Sequence, residues 1–411
     1  MAAFNNLFIN RIVMLVLLSY PVLLLTVQGG MNGLFFLLII TSFVYLFRTR
    51  KSPPASLWDG YSIAFAIAMA SPILAVFLSE AYHGTFKAPP FDGPSRFLFA
   101  IPIFLALRQT DMRTITFLQY GLPLGALSAL LSTVLTGYKW EDNFYIVNYS
   151  RYSFMSLILG FLSLYSINWT AYDRAPVLFL KICGLLAGLF LSIQSGARGG
   201  WVAIPVLIFI WWLSHNPKIS WPKLVAIIFS ILLTVALSYV LIGTVHSRIN
   251  MIYQDLSNFQ HGIKDTSLGI RLQLWQVACH LFVENPVFGV GPDGFAQMMT
   301  SLSNSGMLTT ETASLGRGEV HNEILAKTVG FGIFGLLSIL SVYAVPLIIF
   351  MRSARSSVAQ TRKSAYMGIC LVTGFFIFGL SVEIFNLKMI DAFYSLTVAV
   401  LLAASTHKKS S

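Results

Sequence analysis

Long apolar runs recur along the whole chain, and they decide what it can fold into. Twelve are readable, at 7–28, 31–47, 57–79, 95–107, 115–137, 152–169, 177–194, 201–213, 222–243, 321–350, 366–384 and 389–404. A helix needs about 20 apolar residues to cross a bilayer, so most of these runs are long enough, and 95–107 and 201–213 must extend into their flanks or tilt little. Only 10% of residues are charged while 56% are hydrophobic, and the mean hydropathy is +0.74. A soluble domain carries about 25% charged residues. The balance excludes a soluble enzyme, a disordered chain, a nucleic-acid module and a disulfide scaffold. The expected fold class is all-α: a polytopic integral membrane protein of about 12 transmembrane helices with a large, partly helical outer loop. Residues 1–411 form a single transmembrane domain, with 244–320 a loop subdomain between spans nine and ten.

The net charge of +11 would raise nucleic acid as a partner of a soluble protein. In a membrane protein it reads instead as Lys and Arg holding loops on the cytoplasmic side. With the N-terminus inside, the short inner connections and the tail carry 14 basic residues, against 10 spread over the longer outer ones. Both termini are therefore expected in the cytoplasm, with membrane lipids and no nucleic acid as partners. Cys183, Cys279 and Cys370 stand apart, and no disulfide framework is implied. The apolar stretch 7–27 is too long for a signal-peptide core and reads as the first span.

A loop as long as 244–320 is uncommon and usually functional. Within it, Ile270, Leu274, Val277, Ala278 and Leu281 recur at helical spacing, which predicts an amphipathic helix over 267–282 lying on the outer leaflet or capping the bundle. Asn285-Pro286 ends it, and Gly289, Gly291, Pro292 and Gly294 make a turn-rich stretch. Residues 300–318, rich in Ser, Thr and Gly, are expected to be mobile.

Three short segments at the outer boundary carry candidate chemistry. Gln194-Ser195-Gly196-Ala197-Arg198-Gly199-Gly200 joins glycines, which allow close backbone approach, to a guanidinium that can hold a phosphate; its plainer reading is a turn with a snorkelling arginine. Arg271 opens the amphipathic helix and shares a face with Trp275, four residues on; a solvated or headgroup-binding arginine is the alternative. His321 lies in Glu319-Val320-His321-Asn322-Glu323. Histidine is suited to take a proton from a sugar hydroxyl near neutral pH, with Glu319 or Glu323 orienting the ring, unless it only caps a helix. The other histidines lack the paired spacing of a metal site, so no metal and no cofactor are expected. Glu383 and Asp391 read as a polar turn, Arg96 and Arg151 as snorkelling anchors, and most tryptophans as an interfacial belt.

Together these segments place two arginines and a histidine on one face of the membrane under a large loop. A transporter would instead put polar groups at the midplane. A substrate with a lipid tail, an anionic headgroup and a polar glycan fits an interfacial site.

These segments resemble the O-antigen ligase family of Gram-negative bacteria, in the wider superfamily of O-antigen polymerases and O-linked protein oligosaccharyltransferases. The resemblance rests on Gln194 to Gly200, on Thr266 to Arg271, and on His321-Asn322-Glu323-Ile324 followed by Gly330-Phe331-Gly332-Ile333-Phe334-Gly335. It implies a GT-C-like inner-membrane glycosyltransferase whose active site faces the periplasm. The donor would be O-antigen on undecaprenyl diphosphate and the acceptor lipid A–core, so that transfer completes lipopolysaccharide. It further implies an inverting, metal-independent displacement in which Arg198 and Arg271 hold the diphosphate and His321 activates the acceptor hydroxyl. Gly199, Gly200, Glu319, Asn322 and Trp275 are the accompanying substrate-binding candidates. The polymerase and the protein oligosaccharyltransferase remain alternatives within this class. A lipid-linked oligosaccharide flippase is the alternative outside it, and would line a path through the bundle with cations.

Overall fold

The computed structural model describes residues 2–49, 57–137, 148–195, 197–215, 225 and 243–407; the side chains of 2–7, 198, 243–249, 251 and 252 are outside the described set. Apart from turns and two short 3-10 segments, the described chain is helical. The helices are α1 Ala2–Leu24, α2 Gly30–Thr49, α3 Gly60–His83, α4 Pro89–Leu107, α5 Met112–Ile115, α6 Leu118–Leu135, α7 Tyr149–Tyr165, α8 Ala175–Gln194, α9 Ala203–His215, α10 Gly243–Gln260, α11 Ser267–Glu284, α12 Gly294–Asn304, α13 Thr310–Gly316, α14 Glu323–Ser353, α15 Ala359–Gly379 and α16 Lys388–Ser405. Among the described residues, six helical stretches are long and apolar enough to cross a membrane: α2, α3, the stretch Met112–Leu135, α8, α14 and α16. The protein is a polytopic helical membrane protein. Each apolar run of the sequence coincides with a helix except 222–243, which is outside the described residues but for position 225 and its last residue. The short run at 95–107 gains a turn and more upstream, where Pro89 and Pro90 start α4. Proline suits that place because the first helical N–H groups have no partner to lose.

The bundle is organised around α7, which is buried on all sides. Lipid offers no hydrophobic drive between helices, so close packing of small residues has to hold them together. Gly184 and Gly188 of α8 supply it. A Cβ at Gly188 would overlap the Ser156 carbonyl oxygen, and one at Gly160 would lie 3.2 Å from the Gly188 Cα. Ser153 and Ser192 hydroxyls meet at 3.0 Å across the same seam. On its other side α7 packs on α15, where the rings of Phe154 and Phe378 stack 4.3 Å apart. Helix α16 is enclosed at least as fully, and Tyr20 of α1 reaches Thr397 on it at 3.1 Å.

The segment before α14 is knitted into the bundle rather than hung from it. Helices α11 to α13 share a second apolar cluster, in which Leu274, Ala278, Phe295, Met299 and Ala313 meet Val320 and Val329. The amphipathic helix runs as expected, two residues longer, and caps α14. Residues 300–318 are more ordered than their composition suggested, because Met299, Leu308 and Ala313 are buried in that cluster. The sequence reads 321–350 as one run, yet α14 breaks at Gly332, which has φ +63°. At the break the loop backbone takes over the ladder: Ile333 N–H donates to Pro286 O at 2.8 Å, while Val290 and Gly291 N–H donate to Val329 and Gly330 carbonyls at 2.9 and 3.0 Å. Ser79 of α3 donates to Phe288 O at 2.8 Å, tying the same strap to a third element. A broken helix is tolerated at membrane depth only where neighbouring protein satisfies the freed groups.

Gly332→Ala is expected to cost about 2 kcal/mol or more, since its Cβ would overlap the Val287 carbonyl and φ is positive. Gly33→Ala, in α2 with nothing within 4 Å, is the control and should be neutral or slightly stabilising. Thermal unfolding of the two purified variants checks the contrast.

Candidate functional site at the His321 rim

Four segments meet at one end of the bundle: the start of α7, the turn after α8, residues 319–322 before α14, and the turn between α15 and α16. Asn322 accepts from Leu325 N–H at 3.1 Å and so caps α14. Its amide nitrogen donates to Leu380 O at 3.3 Å. Immediately before this cap, His321 adopts φ +59°, a left-handed conformation that costs a residue with a Cβ some energy. The strain is held by contacts on both sides. His321 Nδ1 lies 2.8 Å from Glu319 Oε1, a close contact rather than an aligned hydrogen bond. The other carboxylate oxygen, Oε2, accepts from Arg151 Nη2 at 2.7 Å. Arg151 is 5% exposed and donates again, through Nη2 and Nε, to the Glu383 carbonyl at 2.7 and 3.2 Å. Val320 N–H donates to the Glu383 carboxylate. Arg151, Glu319 and His321 thus form a chain of contacts from a buried guanidinium through a carboxylate to an imidazole still about one-fifth exposed.

Burial works against ionising Glu319, but His321 and Arg151 outweigh it and hold the carboxyl below the usual range. An ionised Glu319 beside Nδ1 favours a proton on that nitrogen and leaves Nε2 as the basic one. Glu383 behaves oppositely. Burial first, then the nearby Glu323 carboxylate, push it up to about 7, against the Val320 N–H and Lys327.

The glycine-rich turn arrives at the same rim. Residues Arg198–Gly200 form a 3-10 turn, seated so closely on the α15 end that a Cβ at Gly199 would lie 2.9 Å from Ser381 Oγ. Gly200 is looser, with only Leu157 nearby at 3.8 Å. The Arg198 side chain is not among those described. Arg271 is half-buried in the first turn of α11, whose Ile270 and Leu274 join the cluster containing Val320 and Leu325. The helix carrying Arg271 is therefore packed on the residues flanking His321. Arg271 makes no ion pair or hydrogen bond among the described residues. Trp275 packs into the same cluster, and its Nε1 has no partner among them.

Beside the rim lies a cavity of about 280 Å³ lined by Phe97, Lys327, Phe331, Glu383, Lys388 and Asp391, among others. Glu323 holds two of the lining residues, accepting from Phe385 N–H at 2.8 Å and pairing with Lys327 at 3.3 Å. By residue type alone Arg151 reads as an anchor and Glu383 as part of a polar turn. Their partners lie 168 and 63 residues away in the chain, and no local pattern signals such a pairing.

Glu319→Gln removes both the carboxylate beside His321 and the counter-charge of buried Arg151, so it should lower the melting temperature and, in the protein that remains folded, lower activity by roughly 10-fold or more; kcat falling with little change in KM is the expected signature. The Glu383 pKa in the folded protein is raised above the ordinary carboxyl value of 4.5, so the unfolded chain releases this proton first. Its contribution to stability falls as pH rises from about 4.5 to about 7 and is flat above. Glu383→Gln should flatten that part of the profile, read as melting temperature between pH 5 and 8.

Residues 183–340 match the family described as O-antigen ligase, a region that takes in the glycine-rich turn, Arg271 and His321. The chain is also similar to an uncharacterized protein of Haemophilus influenzae, 25% identical over 287 residues, which is 68% of this chain and 70% of that protein. It is similar to the O-antigen ligase of Escherichia coli K12 at 21% identity over 191 residues, 46% of this chain and 45% of that protein. The matched region takes in all three motif segments, and over it the chain is similar to the O-antigen ligase family, whose description the Escherichia coli relative shares.

Proposed function

We propose that the protein transfers an O-antigen glycan from undecaprenyl diphosphate to a sugar of lipid A–core, on the periplasmic face of the bacterial inner membrane. The observation that carries this reading is the Arg151–Glu319–His321 chain, which ends in a partly exposed imidazole next to the glycine-rich turn. In the proposed reaction, His321 Nε2 takes the proton from the acceptor hydroxyl as its oxygen attacks the anomeric carbon. The bond from that carbon to the diphosphate oxygen breaks, and its electron pair leaves with undecaprenyl diphosphate. A single attack from the opposite face inverts the anomeric centre. Arg198 and Arg271 neutralise the charge that grows on the leaving group, where guanidinium forks bind phosphate oxygens best. Diphosphate leaves without protonation, so no second carboxylate is needed, unlike in glycosidases.

Ligase is favoured over polymerase by the description of the Escherichia coli relative as an O-antigen ligase. The flippase reading is weakened by the placement of charge. Away from the rim, Lys181 is consumed by Asp173 at 2.8 Å and Arg108 by Asp59 at 2.8 Å, which leaves no continuous cationic path through the described core.

In a ligase-deficient strain, the wild type should restore long-chain lipopolysaccharide ladders on a gel and His321→Ala should leave core-only bands, a loss of about 10²-fold or more in rate. Arg198→Ala and Arg271→Ala should each cost about 10²-fold, mainly in donor use, and lysine at either position should not restore full activity. Activity of the purified enzyme should survive chelation of divalent ions. Near-normal ladders from all three alanine variants would refute the assignment.

A further inference from the structure

The end of the bundle opposite His321 holds a second polar cavity that the transfer reaction does not use. It measures about 410 Å³ and is lined by Tyr165, Asn168, Trp211, His215, Arg362 and Lys363, among others. It lies between the last turns of α7 and α9 and the first turn of α15. The other ends of α7 and α15 are at the His321 rim, so the two sites are separated by the length of the helices.

Its cations are the unusual feature. Arg362 donates to the Ser356 carbonyl at 3.0 Å and Lys363 to the Ile167 carbonyl at 2.5 Å. His215 uses Nδ1 for the Trp211 carbonyl at 3.0 Å. Neither Arg362 nor Lys363 is paired with a carboxylate among the described residues. Asp173 is near enough to act on Lys363, but both of its oxygens are taken by Lys181, at 3.0 and 2.8 Å, and one also by Asn168 N–H at 2.8 Å. Positive groups partly withdrawn from water need a counter-charge, and among the described residues Arg362 and Lys363 contact only carbonyl dipoles. The cavity walls add Tyr165, Trp211 and Tyr366, the residue types that settle at the level of lipid headgroups. Trp169 Nε1 donates to Ser364 Oγ at 2.8 Å, which fixes the start of α15 against the end of α7 and makes the cationic wall part of the fold.

We infer that this cavity binds a phosphate group, presented by an anionic phospholipid of the surrounding leaflet, with Arg362 and Lys363 on the phosphate and the aromatic walls against the glycerol and first methylenes. Basic pockets between membrane helices recognise headgroups in this way. The inference is independent of the transfer chemistry.

Full-length protein in detergent is incubated with phosphatidylglycerol or phosphatidylethanolamine, and retained lipid is counted by native mass spectrometry. The wild type should retain phosphatidylglycerol in preference to phosphatidylethanolamine. Arg362→Gln/Lys363→Gln should lower that retention roughly tenfold or more, Arg362→Lys/Lys363→Arg should keep most of it, and His321→Ala should leave it unchanged. A second arm adds inorganic phosphate to lipid-free protein: a rise in melting temperature, absent from the double glutamine variant, would assign the site to free phosphate as well. Equal retention of the two lipids by the wild type, or undiminished phosphatidylglycerol on the double glutamine variant, overturns the inference. If that variant does not fold, Lys363→Gln alone and the loss of wild-type selectivity in high salt decide the same question.

Discussion

A single buried guanidinium organises the rim. Arg151 is withdrawn from solvent at the head of an enclosed helix, and its charge is met by the Glu319 carboxylate and the Glu383 carbonyl. An unpaired charge there would be costly. The pairing therefore dictates where two distant stretches must lie: the residues before α14 and the turn between α15 and α16. Once they are there, Val320 N–H reaches Glu383, Asn322 reaches Leu380, and His321 is held in a backbone conformation it would not choose by itself. The imidazole's position follows from the arginine's.

The second constraint comes from the solvent. The capping helices must bury an apolar face, and the broken α14 must satisfy the carbonyls and N–H groups that the break releases. One device answers both. The strap 286–291 lays its backbone along 329–333, with Gly289 and Gly332 giving the clearance. The same strap is held to α3 by Ser79 and by His83, whose Nε2 lies 3.0 Å from the Gly289 carbonyl. The cap that carries Arg271 is thereby fixed relative to the helix that follows His321.

The spans were legible because apolar length is a local property, and the amphipathic helix 267–284 because its period is local too. The three motif segments could be picked out by residue type, and their gathering at one rim could be argued from topology. What could not be read was anything set by pairing across the chain. Arg151 looked like any arginine at a span end, and Glu383 like any acid in a turn. The break at Gly332 was hidden because its cause, the Pro286 carbonyl, lies 46 residues upstream in a different element. Order in 300–318 was missed because its few apolar residues, Met307 and Leu308 among them, show no period, and Leu308 is buried only against a cluster built mostly by other helices.

The enclosure of α7 has a bearing on how the protein meets different membranes. A bilayer that is thinner or thicker than the apolar length of a helix makes that helix tilt or drags the lipid with it. Helices α2, α3 and α8, which expose large apolar side chains such as Ile40, Ile67 and Phe179, face that adjustment directly. Helix α7 touches protein on every side, and its depth is set by Ser156 against Gly188 and Phe154 against Phe378. Changes in acyl-chain length are thus absorbed by the outer ring of helices, while the arginine that positions His321 keeps its level.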